Sequence, residues 1–357
     1  MWMPDQVPAS ESPSASSLGV SQLERLRRSI VGEDGRQRSP LSPPEFAVTR
    51  AVLDSLGVGL EPVHVYMYRK MPTLAELEDW ILAQVGGELD SRRVARANAI
   101  ADGSPPDAAR VSELEALERA APVLSAGDLA FWEDNGYVIL HDAAPPDACA
   151  TLERAIWEHL GAHPENPDSW YGVDLQQGIM VQLFHAPGIA EIHASPRIHK
   201  AFAQLAGTTD LVMSADRCGF NPPVAPGYGW AGAKLHFDLE SLEPPVSPGL
   251  QGILYLTDTA EHQGAFRCVP GFQHRIDAWL AALPEHRNPH LENLEAFGPR
   301  SIAAGAGDLI IWSAALPHGS QPNTAAQPRI VHYLTMYPTP RPSSAPAPAP
   351  DPASARS

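Results

Sequence analysis

Proline fills 37 of the 357 positions, about twice its ordinary share of ~5%, and glycine or proline interrupts nearly every apolar stretch in the second half of the chain. A proline ring removes a backbone donor and clashes with the preceding helical turn, so long helices are disfavoured there and short strands joined by turns are favoured. Apolar or alternating runs at 137–140, 211–215, 234–239, 251–258, 265–269, 308–313 and 330–337 read as those strands. Many short, punctuated strands predict a sandwich, jelly roll or barrel, in which a double sheet protects its own edges.

The first third reads differently. Between 46 and 124 the spacing is helical: Thr73 and Glu76 form a capping-box pair, and Leu74, Leu77, Ile81 and Leu82 follow at helical intervals. Leu114 and Leu117 mark a further helix, and Ser125 with Asp128 can cap a short one ending at Asn135-Gly136. Residues 147–160 are a helix by the same reasoning. The ends are low in complexity; residues 338–357 hold seven prolines, too few apolar side chains to repay ordering entropy. The expected division is therefore a mostly disordered tail (1–45), a helical accessory region (46–124), a β domain (125–338) and a disordered Pro/Ala-rich tail (339–357).

Charge and cysteine usage narrow the function. Twenty-five Lys and Arg against 42 Asp and Glu give a net charge of −17, which repels phosphate backbones and anionic lipid and so argues against nucleic-acid or membrane partners. No apolar run approaches the ~18 residues of a membrane span, and the N-terminus lacks the basic start and apolar core of a signal peptide. Cys149, Cys218 and Cys268 are too few and too widely spaced for a disulfide framework or a CxxC metal site. A reducing cytoplasm is expected, with a small molecule as substrate.

The chemistry-bearing residues are His236 and Asp238. In a strand, positions i and i+2 share a face, so this His-x-Asp triplet aims an imidazole and a carboxylate at one point while Phe237 faces away. A third donor is available at His318, behind the run 309–312. Two histidines and one carboxylate make the facial triad of non-haem iron oxygenases, which leaves the remaining metal positions open. Arg329 stands eleven residues after His318, at the start of an alternating strand; facing inward with Val331 and Tyr333, it would need a carboxylate partner, which a dicarboxylate cosubstrate supplies. Tyr255 shares a face with Gln251 and Ile253 and can reach the same interior. Lys234, Gln182 and Arg217 are weaker pocket candidates, and His193, His332 and the other histidines read as surface or hydrogen-bonded side chains.

Taken in order, His236-x-Asp238, the stretches 251–258 and 264–271, Ala306-Gly-Asp-Leu309, Pro317-His-Gly-Ser with Asn323, and Arg329 resemble the phytanoyl-CoA dioxygenase family of Fe(II)/2-oxoglutarate oxygenases. The stretch 131–137, Phe-Trp-Glu-Asp-Asn-Gly-Tyr, is similar to the opening of that family's domain, and the likeness spans about 125–338. The resemblance implies a mainly β fold with flanking helices: a double-stranded β-helix, or jelly-roll, cupin-like core. It implies that His236, Asp238 and His318 bind Fe(II), that Arg329 takes the distal carboxylate of 2-oxoglutarate, and that O2 is the oxidant. The implied reaction is oxidation, most simply hydroxylation, of an unactivated C–H bond, releasing succinate and CO2. An intact Asp238 speaks for oxygenation, since related halogenases carry a small residue there. Rival readings are a cupin-like metal-dependent hydrolase or isomerase on the same ligands, and a catalytically inactive binding protein on the same fold.

Overall fold

The computed structural model describes residues 18–32, 40–228, 230, 232–239, 241–246, 248–284 and 287–341. Most of both expected tails lies outside the described residues. The chain forms two compact units, which divide between Pro106 and Asp107.

The first unit is helical. It contains α1 (Ser21–Ile30), α2 (Pro43–Leu56), α3 (Leu60–Lys70), α4 (Leu74–Gln84) and α5 (Ser91–Asp102). Helix α1 lies in the stretch that composition assigns to the tail. Its Leu23, Leu26 and Ile30 recur at helical spacing and are buried, and Glu24 pairs with Arg27 at 2.7 Å and Arg28 at 2.8 Å on the outer side. Ten amphipathic residues are lost to view among Ser, Pro and Ala neighbours. The Thr73 cap forms as its sequence predicts: Thr73 Oγ1 accepts from Glu76 N at 3.3 Å, and Glu76 Oε2 accepts from Thr73 N at 2.8 Å.

The second unit, Asp107–Thr339, begins with α6 (Ala108–Arg119), α7 (Ala126–Asn135), α8 (Pro146–Leu160), α9 (Ile189–His193) and α10 (Pro196–Ala206); α11 (Ile276–Ala282) follows later. The division therefore falls before α6 rather than near 125. The reason is local: Lys200 Nζ on α10 donates to the carbonyls of Leu117 and Glu118, and Arg110 donates to Leu211 O.

Among the described residues, twelve strands form the β portion: β1 (Tyr137–Leu140), β2 (Met180–Val181), β3 (Leu211–Met213), β4 (Cys218–Asn221), β5 (Ala233–His236), β6 (Leu250–Tyr255), β7 (Phe266–Cys268), β8 (Arg300–Ser301), β9 (Leu309–Ser313), β10 (His318–Ser320), β11 (Arg329–Tyr333) and β12 (Met336–Pro338). A six-stranded sheet runs β1-β9-β6-β11-β4-β2 and a four-stranded sheet runs β5-β10-β7-β8, with β12 and β3 pairing apart. Every named pairing is antiparallel. The fold is the jelly roll with flanking helices.

Strand alternation separates two cores. Leu309, Ile311, Leu254 and Ile330 face outward onto α8 and α10, among Leu152, Ile156 and Phe202. Ile310, Trp312, Ile253, Tyr255 and Val331 face inward, where they meet Phe266 and Cys268 of the smaller sheet; the Trp312 and Phe266 ring centroids are 4.3 Å apart. Each such Leu, Ile or Phe contributes roughly 1.5–3 kcal/mol by burial.

One outward residue of β11 is polar. His332 is wholly buried, with Nε2 at 2.9 Å from His193 Nε2 and Nδ1 at 3.6 Å from Cys218 Sγ. It is thus an interior imidazole rather than a surface one, and burial pushes it down to about 4. Because the unfolded chain takes up this proton near its ordinary value of about 6.5 and the folded chain does not, stability is complete above that pH. It is lost as pH falls toward about 4, by about 3 kcal/mol. Urea unfolding of the wild type should show this acid limb and His332→Gln should flatten it; parallel limbs would refute the assignment.

Candidate metal centre

Strands β5 and β10 are antiparallel neighbours in which His236 and His318 are register partners. Both imidazoles consequently project from one edge of the four-stranded sheet, with ring centroids 4.6 Å apart. Asp238 reaches the same point by a different route from the one alternation predicts. β5 ends at His236, so Asp238 lies beyond the ladder. The intervening Phe237 is buried against Phe272 and Trp279, with centroids at 5.8 Å from each, and this anchor turns Asp238 back toward the histidines.

Asp238 Oδ1 is 3.6 Å from His236 Nε2, and Oδ2 is 3.3 Å from His318 Nε2. One ligand atom from each of the three residues falls within 4.8 Å of the others. Three neighbouring ligands at about 2.1 Å from a shared ion stand about 3 Å apart, so the cluster needs only small adjustments to hold a divalent metal.

Tautomer and charge suit that use. His236 Nδ1 bonds the carbonyl of Lys234 at 2.9 Å, and His318 Nδ1 bonds that of Leu316 at 3.0 Å. A carbonyl only accepts, so each Nδ1 carries the proton and each Nε2 presents a lone pair to the site. Burial and the neighbouring His318 charge hold His236 below its usual value, favouring the neutral, ligating form. For Asp238, burial pushes the carboxyl up. The hydrogen bond and charge of His318 in its doubly protonated form, the Gln251 amide and the charge of protonated His236 outweigh it, so the group sits well below the ordinary carboxylate range.

Deeper in the barrel, Arg329 is fully buried. Its Nη1 donates to Ser320 Oγ at 3.2 Å, while Nε and Nη2 have no hydrogen-bond partner among the described residues. Two open donors on a buried guanidinium match a carboxylate, and Ser320 stands two residues along β10 from His318. This arrangement fits a dicarboxylate that spans from the triad to Arg329. Tyr255 is register partner of Val331 on the neighbouring strand and is also wholly buried. Its hydroxyl donates to Ile302 O at 3.0 Å and accepts from Phe266 N at 2.9 Å, so its proton is already committed. Burial pushes it up to about 12, against the pull of the Arg329 charge.

Two contributors escape a reading of the sequence by itself. Ser320 lies inside the quoted 317–320 motif, and its i+2 relation to His318 is the signal that could have found it. Gln251 Nε2 donates to Asp238 Oδ2 at 2.8 Å; its place on the Tyr255 face was visible, but its target on the opposite sheet was not. Lys234 is exposed and serves the site through its carbonyl. Gln182 and Arg217 are half-buried beside β2 and β4.

Gly264 shapes the floor of this region. Its φ is +65°, and a Cβ there would collide with the amide of Asn221, the register partner of Arg329. Gly264→Ala is expected to lower stability by about 1–3 kcal/mol, read as a lower melting temperature; an unchanged one would show that the loop relaxes freely.

The family model described as Phytanoyl-CoA dioxygenase (PhyH) matches residues 132–331. A Dictyostelium discoideum protein whose name carries the words phytanoyl-CoA dioxygenase is 21% identical over 259 residues, 58% of this chain and 74% of that protein. Among solved structures, the non-heme alpha ketoglutarate dependent carbocyclase SnoK from nogalamycin biosynthesis is 19% identical, with a TM-score of 0.45 over 61% of this chain and 87% of that one. EctD from S. alaskensis with bound Fe is likewise 19% identical, with a TM-score of 0.43 over 61% of this chain and 78% of that one. The matched span contains His236, Asp238, His318 and Arg329, and the chain belongs to the phytanoyl-CoA dioxygenase family of 2-oxoglutarate-dependent non-haem iron oxygenases.

Proposed function

We propose that this oxygenase hydroxylates an unactivated C–H bond of a small organic molecule. In this reading His236 Nε2, His318 Nε2 and one oxygen of Asp238 hold Fe(II), and Arg329 receives the distal carboxylate of 2-oxoglutarate through Nε and Nη2. The observation that carries it is the pairing of a His-Asp-His cluster, within 4.8 Å, with a buried arginine bearing two open donors. That buried arginine tips the balance against a metal-dependent hydrolase or isomerase on the same ligands.

Bound Fe(II) with O2 supplies the oxidising power, coupled to conversion of 2-oxoglutarate into succinate and CO2. The protein's own part is positional. Carbonyls of Lys234 and Leu316 keep both Nδ1 protons in place, so both Nε2 lone pairs face the ion without rearrangement. Arg329 and Ser320 set the direction of the cosubstrate, and the Phe266, Trp312 and Val331 wall keeps water from the barrel interior. His236, Asp238 and His318 would supply three ligands and leave room for cosubstrate and oxygen. No nucleophile or general base takes part, and the three free cysteines are all buried. Among the described residues no helix is long and apolar enough to cross a membrane.

The test is a succinate-release screen with Fe(II), ascorbate and 2-oxoglutarate over small-molecule libraries, with mass detection of products. A gain of 16 mass units supports hydroxylation; a loss of 2 redirects the proposal to desaturation or ring closure. Turnover of a substrate under strict anaerobiosis would overturn it.

A further inference from the structure

We infer that Gln251 is a positioning residue for the Asp238 carboxylate, an assignment that rests on the metal-site reading above. The two histidines come from the four-stranded sheet, whereas Gln251 sits on β6 of the six-stranded sheet. Its amide crosses between the sheets to donate to Asp238 Oδ2 at 2.8 Å.

Asp238 needs such a hold. It lies past the end of β5, so no ladder bond fixes its backbone, and its side chain is 48% exposed. The nearby imidazoles cannot supply the restraint once a metal is bound, because each Nδ1 proton goes to a backbone carbonyl and each Nε2 lone pair goes to the ion. The Gln251 amide is then the hydrogen-bond donor that remains on this carboxylate among the described residues. By engaging Oδ2 it leaves Oδ1, the oxygen facing His236, free to ligate. The carboxylate is thereby held to one-oxygen binding, and the position a second oxygen would take stays open for a reactant.

The orientation of the amide follows from the same network, since the opposite flip would set Oε1 against an anionic oxygen. Gln251 itself is placed by regular structure: it is the register partner of Trp312, whose ring lies 5.2 Å from that of His318. Length matters as much as chemistry, because the amide must span the gap between sheets. Asparagine is one methylene too short, and methionine has the reach but no donor.

The experiment is a Co(II) titration of the full-length wild type, Gln251→Met and Gln251→Asn, followed by visible d–d absorption, with melting temperatures recorded alongside. The expected result is that both variants melt within a few degrees of wild type, bind Co(II) 10- to 100-fold more weakly, and show a shifted d–d spectrum as the carboxylate changes its binding mode. If either variant fails to fold, the other carries the comparison. Wild-type affinity and an unchanged spectrum in a folded variant would overturn the role of Gln251 alone. Failure of wild-type protein to bind Co(II) would overturn the metal-site reading, and this inference with it.

Discussion

His236→Ala is expected to abolish the visible charge-transfer absorbance that Fe(II) and 2-oxoglutarate produce with the wild-type protein, and to reduce succinate release to background. Removing one of three ligands leaves a His-Asp pair, too few donors to hold the ion in competition with water. The substitution isolates this effect because the His236 side chain is 42% exposed and ends its strand. Little buried apolar surface is lost, so stability should change by about 1 kcal/mol or less. The measurement is anaerobic absorbance with iron quantified after gel filtration, alongside thermal melting. Retained absorbance in a folded variant would mean that the ion is held elsewhere, and the ligand assignment would fail.

Arg329→Met is expected to separate cosubstrate binding from metal binding. Losing a buried, charge-assisted partner typically costs about 2–5 kcal/mol, that is about 30-fold or more in 2-oxoglutarate affinity at about 1.4 kcal/mol per decade. Iron affinity should hold, because Arg329 lies deeper in the barrel and bonds Ser320 rather than the triad. A second consequence runs the other way. Nε and Nη2 of wild-type Arg329 have no hydrogen-bond partner among the described residues, and a buried donor left unsatisfied costs about 1–3 kcal/mol. A methionine of similar length removes that burden, so the variant should melt higher than wild type in the absence of cosubstrate. Added 2-oxoglutarate should raise the wild-type melting temperature by mass action and leave that of the variant unchanged. Equal loss of iron and cosubstrate would instead make Arg329 a structural residue.

Much of the barrel is legible in the amino-acid sequence. The strand Tyr137–Leu140 falls where its apolar run predicts, and Thr73 and Ser125 cap the helices that follow them. On β11 the expected inward face holds: Val331 and Tyr333 pack in the inner cluster while Ile330 packs against the helices. These features are local, since a cap needs three residues and a strand face needs only a period of two. Strands β4 and β10 were not visible, because Gly219 and Gly319 interrupt runs of four and three residues that carry little β-propensity of their own. They exist because antiparallel neighbours on one or both sides supply their hydrogen bonds. His332 looked like one histidine among fourteen, and only packing against α9 and β4 makes it an interior group.

The order and identity of the chemical groups were settled by the chain itself: a His-x-Asp pair, a later histidine and an arginine beyond it, each on an alternating or apolar run. Their convergence was not. The eighty-one positions between His236 and His318 close only because β5 and β10 pair in a register that sets the two imidazoles side by side. Asp238 turns inward only because Phe237 is buried among aromatic rings, and Gln251 meets it only across two facing sheets. Side-chain period is a property of a single strand, whereas ligand geometry belongs to pairs of strands and sheets, whose register is set by packing far along the chain.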